Sequence, residues 1–269
     1  MSTSTPQVAE QKRFEQHRFR GHRGGMIAMH RALGHFHLGP MNLLVAVALL
    51  CSFSALWLLL LPRVCEVWRW IFALALHDLP LSARLEVIQR HYAFLRVEIP
   101  CIRMTAILPG FQIWLTNCIV TVSLFAATYL LPKHLVPAIY LSRTLLLIHA
   151  TACLYFAIWP TQFPHTPSSY LQGLMLSSIA IVTVVPAVLG LTYYIFDFGI
   201  WRKAALTLLT MSYLVVFIPV QVLFQAFFLQ KTVMYMPILY IIFGMPADVL
   251  LIVAFYSWGM TWSFRQDRR

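Results

Sequence analysis

Residues 41–62, "MNLLVAVALLCSFSALWLLLLP", decide how the chain is read, because the run contains no charged side chain. A helix rising 1.5 Å per residue needs about 20 mainly apolar residues to cross roughly 30 Å of hydrocarbon. This run is long enough. Working outward, residues 109–131, 137–159, 171–197, 204–229 and 232–258 qualify in the same way. The sequence therefore predicts an all-α integral membrane protein, a bundle of about six transmembrane helices. The last two runs are separated only by the polar "QKT" turn around Lys231. Composition points the same way: 60% hydrophobic, 11% charged and a mean hydropathy of +0.74, where soluble domains carry about 25% charged residues.

The net charge of +11 sits in tails and loops that flank the apolar runs. There, positive charge sets orientation and meets anionic lipid. No recognisable reading module accompanies it, so nucleic acid is excluded as a partner. Residues 1–40 form a basic tail with six Lys and Arg, and residues 263–269 form a second basic tail around a transmembrane domain at 41–262. The first apolar run exceeds the 7–15 residues of a signal-peptide h-region and is expected to remain as an anchor. With the N-terminus inside, the inner side holds twelve Lys and Arg and the outer side seven, six of them in the loop 63–108. Both termini are then cytoplasmic, and a bacterial inner (plasma) membrane is the expected location. The expected partners are the lipid bilayer, anionic lipid at the N-terminal tail and a protein partner in a membrane complex.

The loop 63–108 is patterned. "VCEVWRWIFALAL" is Trp-rich but short for a span, so a break at Pro62 and an interfacial or re-entrant helix are expected. In "LSARLEVIQRHYAFL", Leu81, Leu85, Ile88, Tyr92 and Leu95 recur at helical spacing, with Glu86 and Arg90 as an i,i+4 pair. The reading is two amphipathic helices on the outer membrane surface. Cys65 and Cys101 both fall in this loop, where an oxidising compartment would allow them to pair. Kinks are expected at Pro186, Pro219, Pro237 and Pro246. His30, His35 and His37 in the N-terminal tail fit no strong metal spacing, and no cofactor is expected.

Charge within hydrocarbon costs at least about 2.5 kcal/mol per group, so Arg143, His149 and Asp248 are the candidate positions, together with Ser142. Counting residues from the inner ends of their spans places Arg143 about 9 Å deep and Asp248 about 15 Å deep. Side-chain reach and tilt would close that gap, so an Arg143–Asp248 pair is expected between the third and sixth spans. His149 lies about 9 Å deeper than Arg143 and shares a face with Ser142 and Cys153. It reads as a histidine bonded between packed helices, with a proton relay or substrate contact as the alternative. Gln112 with Thr116, and Gln221 with Gln225, form polar pairs that either glue helices together or line a path.

"SRTLLLIH" has the form S-R-x5-H and resembles part of the third signature motif of the type-2 phosphatidic acid phosphatase superfamily; "WPTQFPHTP" is similar to a proline-rich loop in some members. The resemblance implies a six-span phosphatase with a histidine nucleophile and a second histidine oriented by a carboxylate. Its extent is about 30 residues of the 269. Cys153 stands where the carboxylate belongs, no P-S-G-H motif precedes the match, and no histidine follows His165. No catalytic role is carried over. The chain is thus expected to be a non-catalytic accessory or scaffold subunit of a membrane or envelope complex. The alternatives are a transporter of a small solute or lipid through a path at Arg143, His149 and Asp248, and a membrane-embedded lipid-phosphate enzyme.

Overall fold

A computed structural model describes residues 40–92, 95–193 and 199–264. The tail histidines and the anionic-lipid reading of the N-terminal tail fall outside those residues. Five helical segments are long and apolar enough to cross a membrane, and a shorter apolar helix accompanies them. A multi-pass membrane bundle is the architecture they suggest.

The first helix, α1 (Pro40–Asp78), runs for 39 residues straight through Pro62, so the expected break there is not found. Its buried side chains explain why: Trp57, Leu61, Cys65, Trp68 and Phe72 form one stripe at spacings of three and four. A proline inside a helix costs about 3 kcal/mol. Continuous packing offsets this, helped by two indoles: Trp57 Nε1 donates to Thr183 Oγ1 and Trp68 Nε1 to the Val215 carbonyl, each at 2.9 Å. At ~58 Å, α1 is nearly twice as long as the hydrocarbon is thick. The stretch from Arg63 onward carries Arg63, Glu66, Arg69, His77 and Asp78.

The second amphipathic helix is also overturned. Strands β1 (Ala83–Tyr92) and β2 (Leu95–Met104) form an antiparallel hairpin in unbroken register from Ala83 opposite Met104 to Tyr92 opposite Leu95. The deciding signal is in β2. In "LRVEIPCIRM", buried Val97 and Ile99 alternate with exposed Arg96 and Glu98, a period of two, and from Pro100 to Ile102 the strand is buried on both faces. Ile88 meets Ile99 and Leu85 meets Ile102 across the strands, so the leucines and isoleucine that suggested a helix serve a sheet instead. Glu86 pairs with Arg103 on the other strand at 3.3 Å, and Arg90 lies opposite Val97. The hairpin packs against α1 and α4 (Pro167–Thr192). Ser168 fastens its end: the Met104 amide donates to Ser168 Oγ at 3.0 Å, and that hydroxyl donates to the Met104 carbonyl at 2.8 Å.

Helix α2 (Phe111–Ala127) is shorter than the expected span and ends where Thr128 donates to the Phe125 carbonyl. It pairs with α3 (Val136–Ile158) through the Trp114 indole, which donates to the Cys153 carbonyl at 2.8 Å. The core proper lies between α1, α4 and α5 (Ile200–Leu229). The sixth expected span is broken. Helix α6 (Met236–Phe243) stops at Gly244 and α7 (Met245–Phe264) begins immediately afterwards. Pro237 and Pro246 each sit in the first turn of their helix, where the missing N–H has no partner to lose, so neither kinks a continuous span.

Candidate functional site

Four of the buried polar residues, Ser178, Gln221, Gln225 and Asp248, gather around the break at Gly244. Two glutamines of α5, one turn apart, reach its carbonyls: Gln221 Nε2 donates to the Gly244 carbonyl at 3.3 Å, and Gln225 Nε2 donates to the Phe243 carbonyl. Tyr170 on α4 donates in turn to Gln225 Oε1. A helix end that loses its i→i−4 partners inside an apolar bundle needs substitutes: Gln225 supplies one to the Phe243 carbonyl, while Gln221 adds a side-chain donor to the Gly244 carbonyl, which already accepts from the Ala247 amide at 2.9 Å. The glycine is required sterically, since a Cβ there would lie 2.3 Å from the Tyr240 carbonyl oxygen.

Asp248 occupies the first turn of α7 and is fully buried. Ser178 on α4 donates to its Oδ2 at 3.1 Å, and the Gln221 side chain lies alongside the same carboxylate. Asp248 Oδ1 and Gln221 Oε1 have no partner among the described residues. The α7 N-terminus adds a favourable local field for negative charge.

Arg143 is elsewhere. Its Nε donates to Thr128 Oγ1 at 2.9 Å, and its guanidinium lies 4.2 Å above the Tyr129 ring. The expected Arg143–Asp248 pair is absent among the described residues. The depth arithmetic assumed an unbroken sixth span, whereas α7 packs against α4 and α5 and it is α6 that packs against α3. Ser142 faces neither group. It lines an apolar groove of about 370 Å³ with Leu124, Thr128, Leu145 and Ile238.

His149 forms a third, separate environment. Its Nε2 lies 3.4 Å from Asn117 Oδ1 on α2, and its ring stacks on Tyr235 with centroids 5.8 Å apart. Its Nδ1 is buried without a partner among the described residues. Histidine here bridges packed elements, α2, α3 and the turn before α6. Ser178 and Gly244 belong to the Asp248 site although neither carries a charge or a helical polar pattern that singles it out. A Gly-Met-Pro sequence followed two residues later by an aspartate is a stop signal joined to a start signal, and "GMPAD" at 244–248 contains it.

Outside the spans, burial and the Glu86 carboxylate push the Cys101 thiol from 9.0 up to about 11. Cys65 lies beside it, and both are free thiols. The charged C-terminal part of α1 and the hairpin carry the pairs Arg63–Glu66 at 3.0 Å and Arg69–Glu98 at 3.7 Å. Among these charges Val67, Trp70 and Leu74 form an exposed apolar stripe, with Trp70 at 66% exposure.

No protein-family model, curated protein or solved structure matches the chain.

Proposed function

We propose that the chain is a non-catalytic, multi-pass subunit of a membrane complex, oriented with both termini in the cytoplasm of a bacterial cell. The observation that carries this reading is the stripe Val67–Trp70–Leu74 on the charged end of α1. An exposed tryptophan flanked by aliphatics and rimmed by ion pairs has the anatomy of a binding hot spot. The hairpin clamped beside it holds that surface rigid, which lowers the ordering cost of association.

Purification of the tagged full-length protein in mild detergent tests this. A stoichiometric partner is expected, and it should be lost from Trp70→Glu while the variant still accumulates in the membrane. A well-behaved protein recovered alone would overturn the reading, as would a partner held equally by Trp70→Glu.

Transport of a small solute is the second reading, favoured by the broken helix with its buried carboxylate. Discontinuous helices that expose backbone and acidic groups are a recurrent way to build sites within membranes. On this reading the site is centred on Asp248, Gln221 and Ser178, rather than on a path that also includes Arg143 and His149.

A further inference from the structure

We propose that Asp248, Gln221 and Ser178 form an intramembrane binding site for one small monovalent cation, a proton or a sodium ion. Two acceptor oxygens, Asp248 Oδ1 and Gln221 Oε1, are buried without partners among the described residues, in side chains exposed by 0% and 1%. Leaving buried acceptors unmade costs roughly 1–3 kcal/mol each. Both belong to side chains that lie against each other. A single cation held at Asp248 Oδ1 and reached by Gln221 Oε1 would satisfy both.

The charge inventory of the surrounding helices supports this. Helices α4 and α6 carry no charged side chain, and α7 carries none besides Asp248. On α5 the charges are Arg202 and Lys203, with Lys203 separated from Gln221 by about 27 Å of helix. Lys203 already donates to the Tyr193 carbonyl at 2.7 Å. The other titratable groups on these helices are tyrosines: Tyr170 and Tyr240 near Gln225, Tyr213 on α5 and Tyr256 on α7. None supplies a positive charge to Asp248. An ionised carboxylate in this setting therefore calls for a cation from outside the chain.

The ligand set limits the charge of that cation. One carboxylate with neutral amide and hydroxyl oxygens balances a single positive charge, whereas a divalent ion would leave net charge in an apolar interior. A proton on Oδ1 would be donated in a hydrogen bond to Gln221 Oε1. A sodium ion would take Asp248 Oδ1, Gln221 Oε1 and Ser178 Oγ as hard oxygen ligands. Because the carboxylate and the carbonyl of Gly244 meet the same glutamine, occupancy of the site also bears on the join between α6 and α7. This site is independent of the partner-binding reading and does not require it.

The test is thermal unfolding of the full-length protein in detergent. Midpoints are compared in alkaline choline, lithium and sodium chloride at equal ionic strength, and in choline chloride across acidic to alkaline buffers. A ligand that binds the folded state raises the midpoint by mass action. A saturable rise with sodium assigns a sodium site, and a rise on acidification without a sodium effect assigns a proton site. Asp248→Asn should abolish either response, since its amide can donate to Gln221 Oε1 in place of the cation. Gln221→Leu should weaken the apparent cation affinity by about tenfold or more. Should Asp248→Asn not accumulate, infrared difference spectra of the wild type keep the question open to refutation: a buried carboxyl band must respond to the same cation. The proposal is overturned by a wild type indifferent to sodium, lithium and acid, or by Asp248→Asn keeping the wild-type response.

Discussion

At the scale of single residues, polar side chains within the bundle hold backbone and one another rather than meeting at one centre. Gln221 and Gln225 were visible as a pair on one helix face, but only the break at Gly244 gives their amides a task. His149 can be tested by separating its ring from its nitrogens. His149→Phe keeps the stack on Tyr235 and loses the contact with Asn117, so it should cost about 0.6 kcal/mol, the usual worth of such a bond between membrane helices. His149→Ala also opens a cavity and should cost about 2–3 kcal/mol; equilibrium unfolding in micelles compares the two. Cys101 offers a pH test. Its folded-state thiol stays protonated up to about 11, above its ordinary 9.0, while an unfolded thiol ionises earlier. The stability this contributes is full below pH 9.0 and is lost as pH rises through about 11. Unfolding midpoints should therefore fall more steeply over that range in the wild type than in Cys101→Val.

At the scale of elements, two signals competed and packing chose between them. "LSARLEVIQRHYAFL" alone satisfies a helical period, yet its partner strand alternates buried Val97 and Ile99 with exposed Arg96 and Glu98. The deciding alternation lies in the second strand, after the stretch that shows the helical period, so that stretch by itself could not register it. Likewise Pro62 is a breaker by local rules, while the stripe from Trp57 to Phe72 continues on both sides of it. At the other end of the chain, a Cβ at Gly244 would strike the Tyr240 carbonyl. Gly244→Ala should therefore lose about 1–3 kcal/mol, read as a lower unfolding midpoint, even though alanine favours helices by about 1 kcal/mol over glycine. A stabilised Gly244→Ala protein would mean that α6 and α7 prefer to run on as one helix.

At the scale of the whole molecule, the hairpin, the end of α1 and the start of α4 act as one unit on the bundle. Its two faces should respond oppositely to charge. Ile99→Asp places an unpaired carboxylate in the buried face and should prevent accumulation of the protein, as measured by immunoblotting of membranes. Glu98→Lys on the exposed face should accumulate normally, since surface pairs such as Arg69–Glu98 contribute about 0–1 kcal/mol. The sequence by itself determined where apolar helices form and which ionisable residues lie within their runs, because length and transfer free energy are properties of local segments. Five of the six expected runs correspond to segments long enough to cross a membrane, with α2 the shorter exception. Only the tertiary structure decided that α1 continues through Pro62, that residues 83–104 pair as strands, and that Asp248 meets Ser178 and Gln221 instead of Arg143. Those outcomes depend on which faces pack together, and helix packing in an apolar medium is directed by shape and a few buried hydrogen bonds that span distant parts of the chain.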